Sequence, residues 1–236
     1  MKLTVHRAGC RGHIDHGWLD TWHTFSFASY YNPDRMHFGA LRVLNDDTVQ
    51  PGMGFGTHPH DNMEIITIVL DGELEHRDSM GNGSVIRPGE IQVMSAGTGV
   101  QHSEFNHSLK NKVSFLQIWV FPDKKNVEPR YGQAKFDENE ITGRWRTIVS
   151  PDGVDQSVWI HQQAWFSLGN FDQDSIVRYK SRKAGNGVYL FLISGEIEVG
   201  PEKLSDRYGL CIEEIDSEIE LKVTKNSKVL LMEVPM

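Results

Sequence analysis

Apolar residues in this chain come in short runs rather than at helical spacing. The clearest are Ile65-Ile-Thr-Ile-Val-Leu70, Val113-Ser-Phe-Leu-Gln-Ile-Trp-Val-Phe121, Val188-Tyr-Leu-Phe-Leu-Ile193 and Lys228-Val-Leu-Leu-Met-Glu-Val234. They are short and rich in β-branched and aromatic side chains, which is the pattern of buried strands. Turn pairs separate them, at Asp71-Gly72, Gly81-Asn-Gly83, Pro88-Gly89 and Ser194-Gly195. Many short strands with regular turns predict an all-β fold, a sandwich or barrel with few short helices.

The pattern also repeats. Leu70-Asp-Gly-Glu-Leu-Glu75 matches Ile193-Ser-Gly-Glu-Ile-Glu198, and each is followed by a glycine (Gly89 or Gly209) opening another strand. Two copies of one barrel are predicted. The expected division is an N-terminal barrel over 1–125, a linker over 126–145 with Pro129, Gly132, Gly143 and many charges, and a second barrel over 146–236.

Composition narrows the function. The chain has 236 residues and a formal net charge of −8, which disfavours nucleic acid as a partner. Two cysteines, Cys10 and Cys211, stand far apart in no ligand motif, and the first residues have no apolar leader core. No apolar run approaches the ~18 residues of a membrane span. The expectation is a soluble, cytoplasmic protein without a membrane partner.

The chemistry concentrates in two places. In Gly52-Met-Gly-Phe-Gly-Thr-His58-Pro-His60-Asp-Asn-Met-Glu64, one continuous strand would put His58, His60 and Glu64 on one face. His102-Ser-Glu104 is a second same-face pair. If the two strands are neighbours, imidazoles and carboxylates converge into a set suited to a divalent transition metal: iron, manganese, nickel, copper, cobalt or zinc. Parity alone leaves the choice of carboxylate open. Gly52, Gly54 and Gly56 read as a turn into the metal strand, since no strand-to-helix context makes them a phosphate loop. The repeat supplies a control. Equal offsets from Gly195 and Gly209 reach Ser181, Lys183, Lys222 and Thr224, and the only histidine beyond residue 150 is His161. Metal chemistry is expected in the first copy alone.

These residues resemble a known family. Gly52-x5-His58-x-His60-x3-Glu64 with Gly72, and Gly97-x-Gly99-x2-His102-x3-Asn106, resemble the two cupin motifs. The spacing from Glu64 to Gly72 is one residue longer than the usual cupin form, and Ser95 stands where proline is common, as in pirins. Trp22-His-Thr-Phe-Ser-Phe-Ala28, His58-Pro-His60, Met94-Ser-Ala-Gly97-Thr-Gly99 and His102-Ser-Glu104 are similar to pirin sequence, most of all to bacterial pirin-like proteins with quercetin 2,3-dioxygenase activity.

The resemblance implies a bicupin, two jelly-roll-like barrels, with one metal, Fe(II), held by His58, His60, His102 and Glu104. Glu64 then becomes a residue that hydrogen-bonds a ligand imidazole. The implied activity is that of an oxidoreductase of flavonoid metabolism, a dioxygenase opening a flavonol such as quercetin with dioxygen and releasing carbon monoxide. Glu104 is the candidate base for the 3-hydroxyl proton. Phe55, Met63, Phe105 and the Trp22–Phe27 segment are candidates for an aromatic slot. His76 and the remaining histidines are expected to be structural. The alternative function is a non-catalytic, metal-containing regulator that senses redox state or binds a partner protein.

Overall fold

Strand Val100–Asn106 shows how the local pattern builds the fold. Val100, His102, Glu104 and Asn106 are buried, while Gln101 and Phe105 face solvent, the period of two that a pleated strand imposes. Nearly all of the computed structural model, which describes residues 1–236, is strand and turn.

Four antiparallel-dominated sheets form two barrels. In the first, a seven-stranded sheet has the spatial order 130–135, 90–95, 64–71, 113–120, 41–49, 19–23 and 12–15. It is closed by a four-stranded sheet ordered 54–60, 100–106, 74–78 and 83–86. The second barrel repeats the plan. Its seven-stranded sheet runs 2–6, 209–213, 186–194, 227–235, 165–171, 146–150 and 158–159, and its four-stranded sheet 175–179, 219–223, 197–199 and 202–204.

The large sheets pack against one another through a core drawn from both barrels. It includes Ile66, Ile68, Ile91, Val93, Leu116 and Ile118 of one, and Phe166, Tyr189, Phe191, Leu230 and Met232 of the other. A strand such as Glu64–Asp71 is therefore buried on both faces, one towards the lumen and one towards the other barrel. That is why its sequence is a continuous apolar run rather than an alternation. Phe166, fully buried in this shared core, gives a stability test. Phe166→Ala should destabilise the protein by about 3–5 kcal/mol, read as a lower denaturant midpoint at unchanged slope.

The strands cross the expected domain limits twice. Lys2–His6 leaves the first barrel and pairs with Gly209–Glu213 of the second. In the stretch read as a linker, Arg130–Lys135 pairs with Glu90–Ser95 as an edge strand of the first barrel. Glu138–Ile141 then forms one helical turn, capped by Asp137 in a capping box. Its charges and glycines look like connecting chain, but an edge strand needs only one neighbour.

The lumens differ in chemistry. The second barrel's is apolar, filled by Phe171, Tyr179, Val188, Leu190, Leu221 and Val223 among others. The first barrel's is apolar at one end, around Val69, Leu74, Ile86 and Phe115. A polar row crosses its middle. His23, Asn45, Gln117, Thr67, Gln92 and Gln133 are successive cross-strand partners along the large sheet. The first five of them are buried.

Candidate metal centre

Strand Gly54–His60 and strand Val100–Asn106 are antiparallel neighbours with His58 opposite His102 and His60 opposite Val100. Two positions on one strand and one on the next thus set three imidazoles side by side. Ring centroids are 4.4 Å apart for His58 and His102, and 4.8 Å for His60 with each of the other two. One ring nitrogen from each lies within 4.8 Å of the others. The register shifts between His102 and Glu104, bringing Phe55 opposite Glu104. Gly54 permits this approach, because a Cβ there would lie 2.2 Å from the Glu104 carbonyl oxygen and 2.5 Å from the Phe105 Cα.

Two of the three rings have a fixed orientation. His58 Nδ1 lies 2.8 Å from the Gly56 carbonyl oxygen, which can only accept, so Nδ1 carries the proton and Nε2 keeps its lone pair. His102 Nδ1 lies 3.5 Å from His76 Nδ1, and His102 Nε2 is buried with no protein partner. His60 packs edge-on against Trp119, centroids 4.9 Å apart. Burial is the main cause that keeps His102 and His60 uncharged, with the neighbouring imidazoles adding to it. The His102 pKa falls far below its ordinary value and the His60 pKa to about 4.

Glu104 is buried next to this cluster. Its carboxylate forms a second close group with His76 and His102, so His102 belongs to both. Gln117 Nε2 donates to Glu104 Oε2 at 2.9 Å, and Thr67 Oγ1 approaches Oε1 at 3.4 Å and Gln117 Oε1 at 2.7 Å. Burial, then the nearby Asp47 carboxylate, raises the Glu104 pKa to about 7. Asp47 is itself raised to about 7 by burial, although Thr21 donates a hydrogen bond to it. A cavity of about 270 Å³ opens beside Asp47, lined also by Thr21, Asn45, Phe55, Phe27 and Trp18 among others.

A divalent metal fits these residues. Neutral imidazoles with inward lone pairs are the form a metal binds, and an unpartnered buried nitrogen such as His102 Nε2 needs an electrophile or a water. Both groups with ligand potential lie in the first barrel. In the second, the strands corresponding to 54–60 and 100–106 pair Tyr179 with Ile219 and Val177 with Leu221, which place apolar side chains inward.

Some expected placements differ. Glu64 does not share a face with His58 and His60. The chain turns at Asp61–Met63, with Asn62 at φ 46°, and the strand from Glu64 belongs to the opposite sheet. Glu64 accepts a 2.7 Å hydrogen bond from Ser95 and bonds no imidazole. Burial raises its pKa to about 7. Phe105 points to solvent, Trp22 stacks on His13, and Phe25 joins the inter-barrel core, so of the proposed slot residues Phe55, Phe27 and His23 line the cavity. Met63 packs beside Ile65 and Met94. The ungapped repeat count also slips. Ser181 and Lys183 fall beyond strand Ser175–Tyr179, in a loop whose backbone N–H groups at Arg182 and Lys183 donate to Glu233.

Other residues were missed. Thr67, Gln117 and Asp47 lie near Glu104; Thr67 and Gln117 stand inside apolar runs where sequence offers no sign of a polar lumen, and Asp47 stands in a polar stretch, Asn45-Asp-Asp-Thr48, that gives no sign of facing inward. His76-x-Asp78 carries the same alternate spacing as the metal histidines. The signal was present, yet only the pairing of strand 74–78 with 100–106 puts it behind His102.

Two stacked β-barrels, one with a polar lumen and clustered imidazoles and one with an apolar lumen, define the class as a bicupin. The comparisons with known proteins agree. The family model described as Pirin matches residues 4–120, and the one described as Quercetinase C-terminal cupin domain matches residues 147–234. The chain is 42% identical to quercetin 2,3-dioxygenase of Escherichia coli (strain K12), covering 99% of both proteins. It is 36% identical to a pirin-like protein of Caulobacter vibrioides over 94% of this chain and 95% of that one. Among solved structures, bacterial pirin YhhW of Escherichia coli in complex with nickel(II) superposes with a TM-score of 0.94 at 40% identity, covering 99% of each chain. The chain belongs to the pirin family.

Proposed function

We propose that this protein is a metal-dependent dioxygenase that cleaves a flavonol such as quercetin, with His58, His60, His102 and Glu104 holding one divalent metal. The observation that carries the reading is the buried, unpartnered Nε2 of His102 facing two further imidazoles. Fe(II) is the metal proposed for turnover. The nickel complex of the E. coli relative supports a site that accepts first-row metals generally. The chemistry is confined to the first barrel, which holds both clusters of candidate ligands. The two unpaired cysteines suit a reducing cytoplasm.

When bound, the metal would polarise the substrate's 3-hydroxyl and 4-carbonyl oxygens and give dioxygen a place to react. The rest follows from the chain's own residues. Glu104, buried beside His102, takes the 3-hydroxyl proton as general base. Gln117 and Thr67 hold the carboxylate in place. Phe55 and Phe27 bound the cavity that accepts the flat rings, and Asp47 offers a hydrogen-bond partner for a phenolic hydroxyl. Burial of the polar row keeps bulk water from the reacting oxygen atoms.

The test is oxygen uptake and carbon monoxide release with quercetin, on one preparation stripped of metal and then reconstituted with Fe(II). About one equivalent of metal should restore an uptake absent from the stripped protein. Full uptake without metal would refute the proposal. Bound metal with no uptake of oxygen would favour the regulator that binds a partner protein.

A further inference from the structure

Behind His102, away from the other two imidazoles, lies a pair that the ligand set does not use. His76 is fully buried, and strand Leu74–Asp78 runs antiparallel to Val100–Asn106 with His76 opposite Glu104 and Asp78 opposite His102. His76 Nε2 lies 3.2 Å from Asp78 Oδ2, and both side chains are excluded from solvent. Asp78 is in turn held by the backbone N–H groups of Met80 and Asn82 at 2.9 and 3.0 Å, and by the Asn82 side chain at 2.9 Å. Tyr131 packs over the His76 ring, centroids 4.9 Å apart.

The donor and acceptor roles follow in order. Asp78, surrounded by donors, accepts from His76 Nε2–H. A neutral His76 then has only a lone pair on Nδ1, so the facing nitrogen, His102 Nδ1, must donate. His102 is left with its lone pair on Nε2, the atom that has no protein partner. The same logic explains why His76, His102 and Glu104 are not a second ligand group, since the nitrogens of His76 and His102 that face each other share a proton.

We infer that Asp78 and His76 are positioning residues that hold His102 in its Nδ1–H tautomer and aim its Nε2 at the metal. The inference rests on the metal reading above. It makes His76 the counterpart of the Gly56 carbonyl, which does the same for His58. Outer partners of this kind typically carry about 10–100-fold in metal affinity.

The experiment is competition between the full-length protein and a chelator for Ni(II), with wild type, His76→Phe and His76→Asn. His76→Phe removes the acceptor and should weaken Ni(II) binding by about 10–100-fold. His76→Asn places an amide oxygen where Nδ1 was and should recover most of that loss. A merely structural role would make both variants lose affinity alike, and that outcome overturns the inference, as does unchanged affinity in His76→Phe. If His76→Phe does not fold, ¹⁵N spectra of the metal-free wild type decide. His102 should show a protonated Nδ1 and a bare Nε2, with the reverse at His76, and a protonated His102 Nε2 overturns the inference. A wild type that binds no Ni(II) would overturn the metal reading itself, and this inference with it. Ni(II) binding unaffected by His76→Phe overturns the inference alone.

Discussion

His102→Ala should leave a folded protein with no metal and no dioxygenase activity. His102 is the residue common to both close groups, and its Nε2 is the buried atom without a partner. Losing it removes a ligand and also the ring against which His58 and His60 pack. A bound metal contributes several kcal/mol to stabilising developing charge, so the rate should fall by about 10³-fold or more. The fold should survive, because the barrel is held by the apolar clusters, and truncating one buried ring costs about 1–3 kcal/mol. Metal analysis, oxygen uptake and a thermal melt on the same sample test all three statements. His107→Ala is the control. That histidine sits on the surface, paired with Glu75, and its loss should change neither metal content nor rate. Metal retention with normal turnover in His102→Ala would sink the assigned site.

The second large effect is at Glu104. In the metal-free protein its pKa is near 7, so below neutrality it carries a proton that a metal must displace. The Glu104 proton should therefore add about a tenfold rise in metal affinity per pH unit up to pH 7, and nothing above it. His60, with a pKa near 4, and His102, lower still, are already neutral above pH 5 and add nothing to this slope. Glu104→Gln cannot release that proton, so the variant's slope should be smaller by one unit. Turnover should fall by about 10²–10⁴-fold with loss of the base.

Folding stability has a sign of its own. A carboxyl whose folded pKa is raised holds its proton better in the folded state than in the unfolded one. Stability is then lost as pH rises from the usual carboxylate range through 7. Glutamine resembles the protonated acid at every pH. Metal-free Glu104→Gln should melt above metal-free wild type at pH 8, with the gap closing towards pH 4. Parallel melts at the two pH values, with metal removed, check the sign. An equal slope of metal affinity in wild type and variant would mean that Glu104 is not a ligand.

Much of this was readable from residue order. Alternation along Val100–Asn106 predicts which residues face inward, and it correctly sets His102 and Glu104 on one side. The apolar runs mark the strands, and the paired Asp-Gly and Ser-Gly turns mark the repeat. Parity failed where it was carried across a turn. His58, His60 and Glu64 are separated by even numbers, but Asn62 in the left-handed region ends one strand and sends the next to the other sheet. Face assignments hold only while the backbone stays extended. Continuous burial hid the rest. Thr67 and Gln117 stand inside runs that are apolar on either side, because those strands serve a lumen on one face and a second barrel on the other.

The sequence by itself determined the strand content and the two-barrel repeat, which rest on local period and on turn spacing, and its motifs carried the resemblance that marks the family. Tertiary structure alone decided that Glu104 lies close to His102 while Glu64 sits on the opposite sheet, that His76 and Asp78 back His102, and that the polar row crosses one lumen and not the other. Those are pairings between strands remote in sequence, and strand register across a sheet is set by the packing of whole faces, which no single segment encodes.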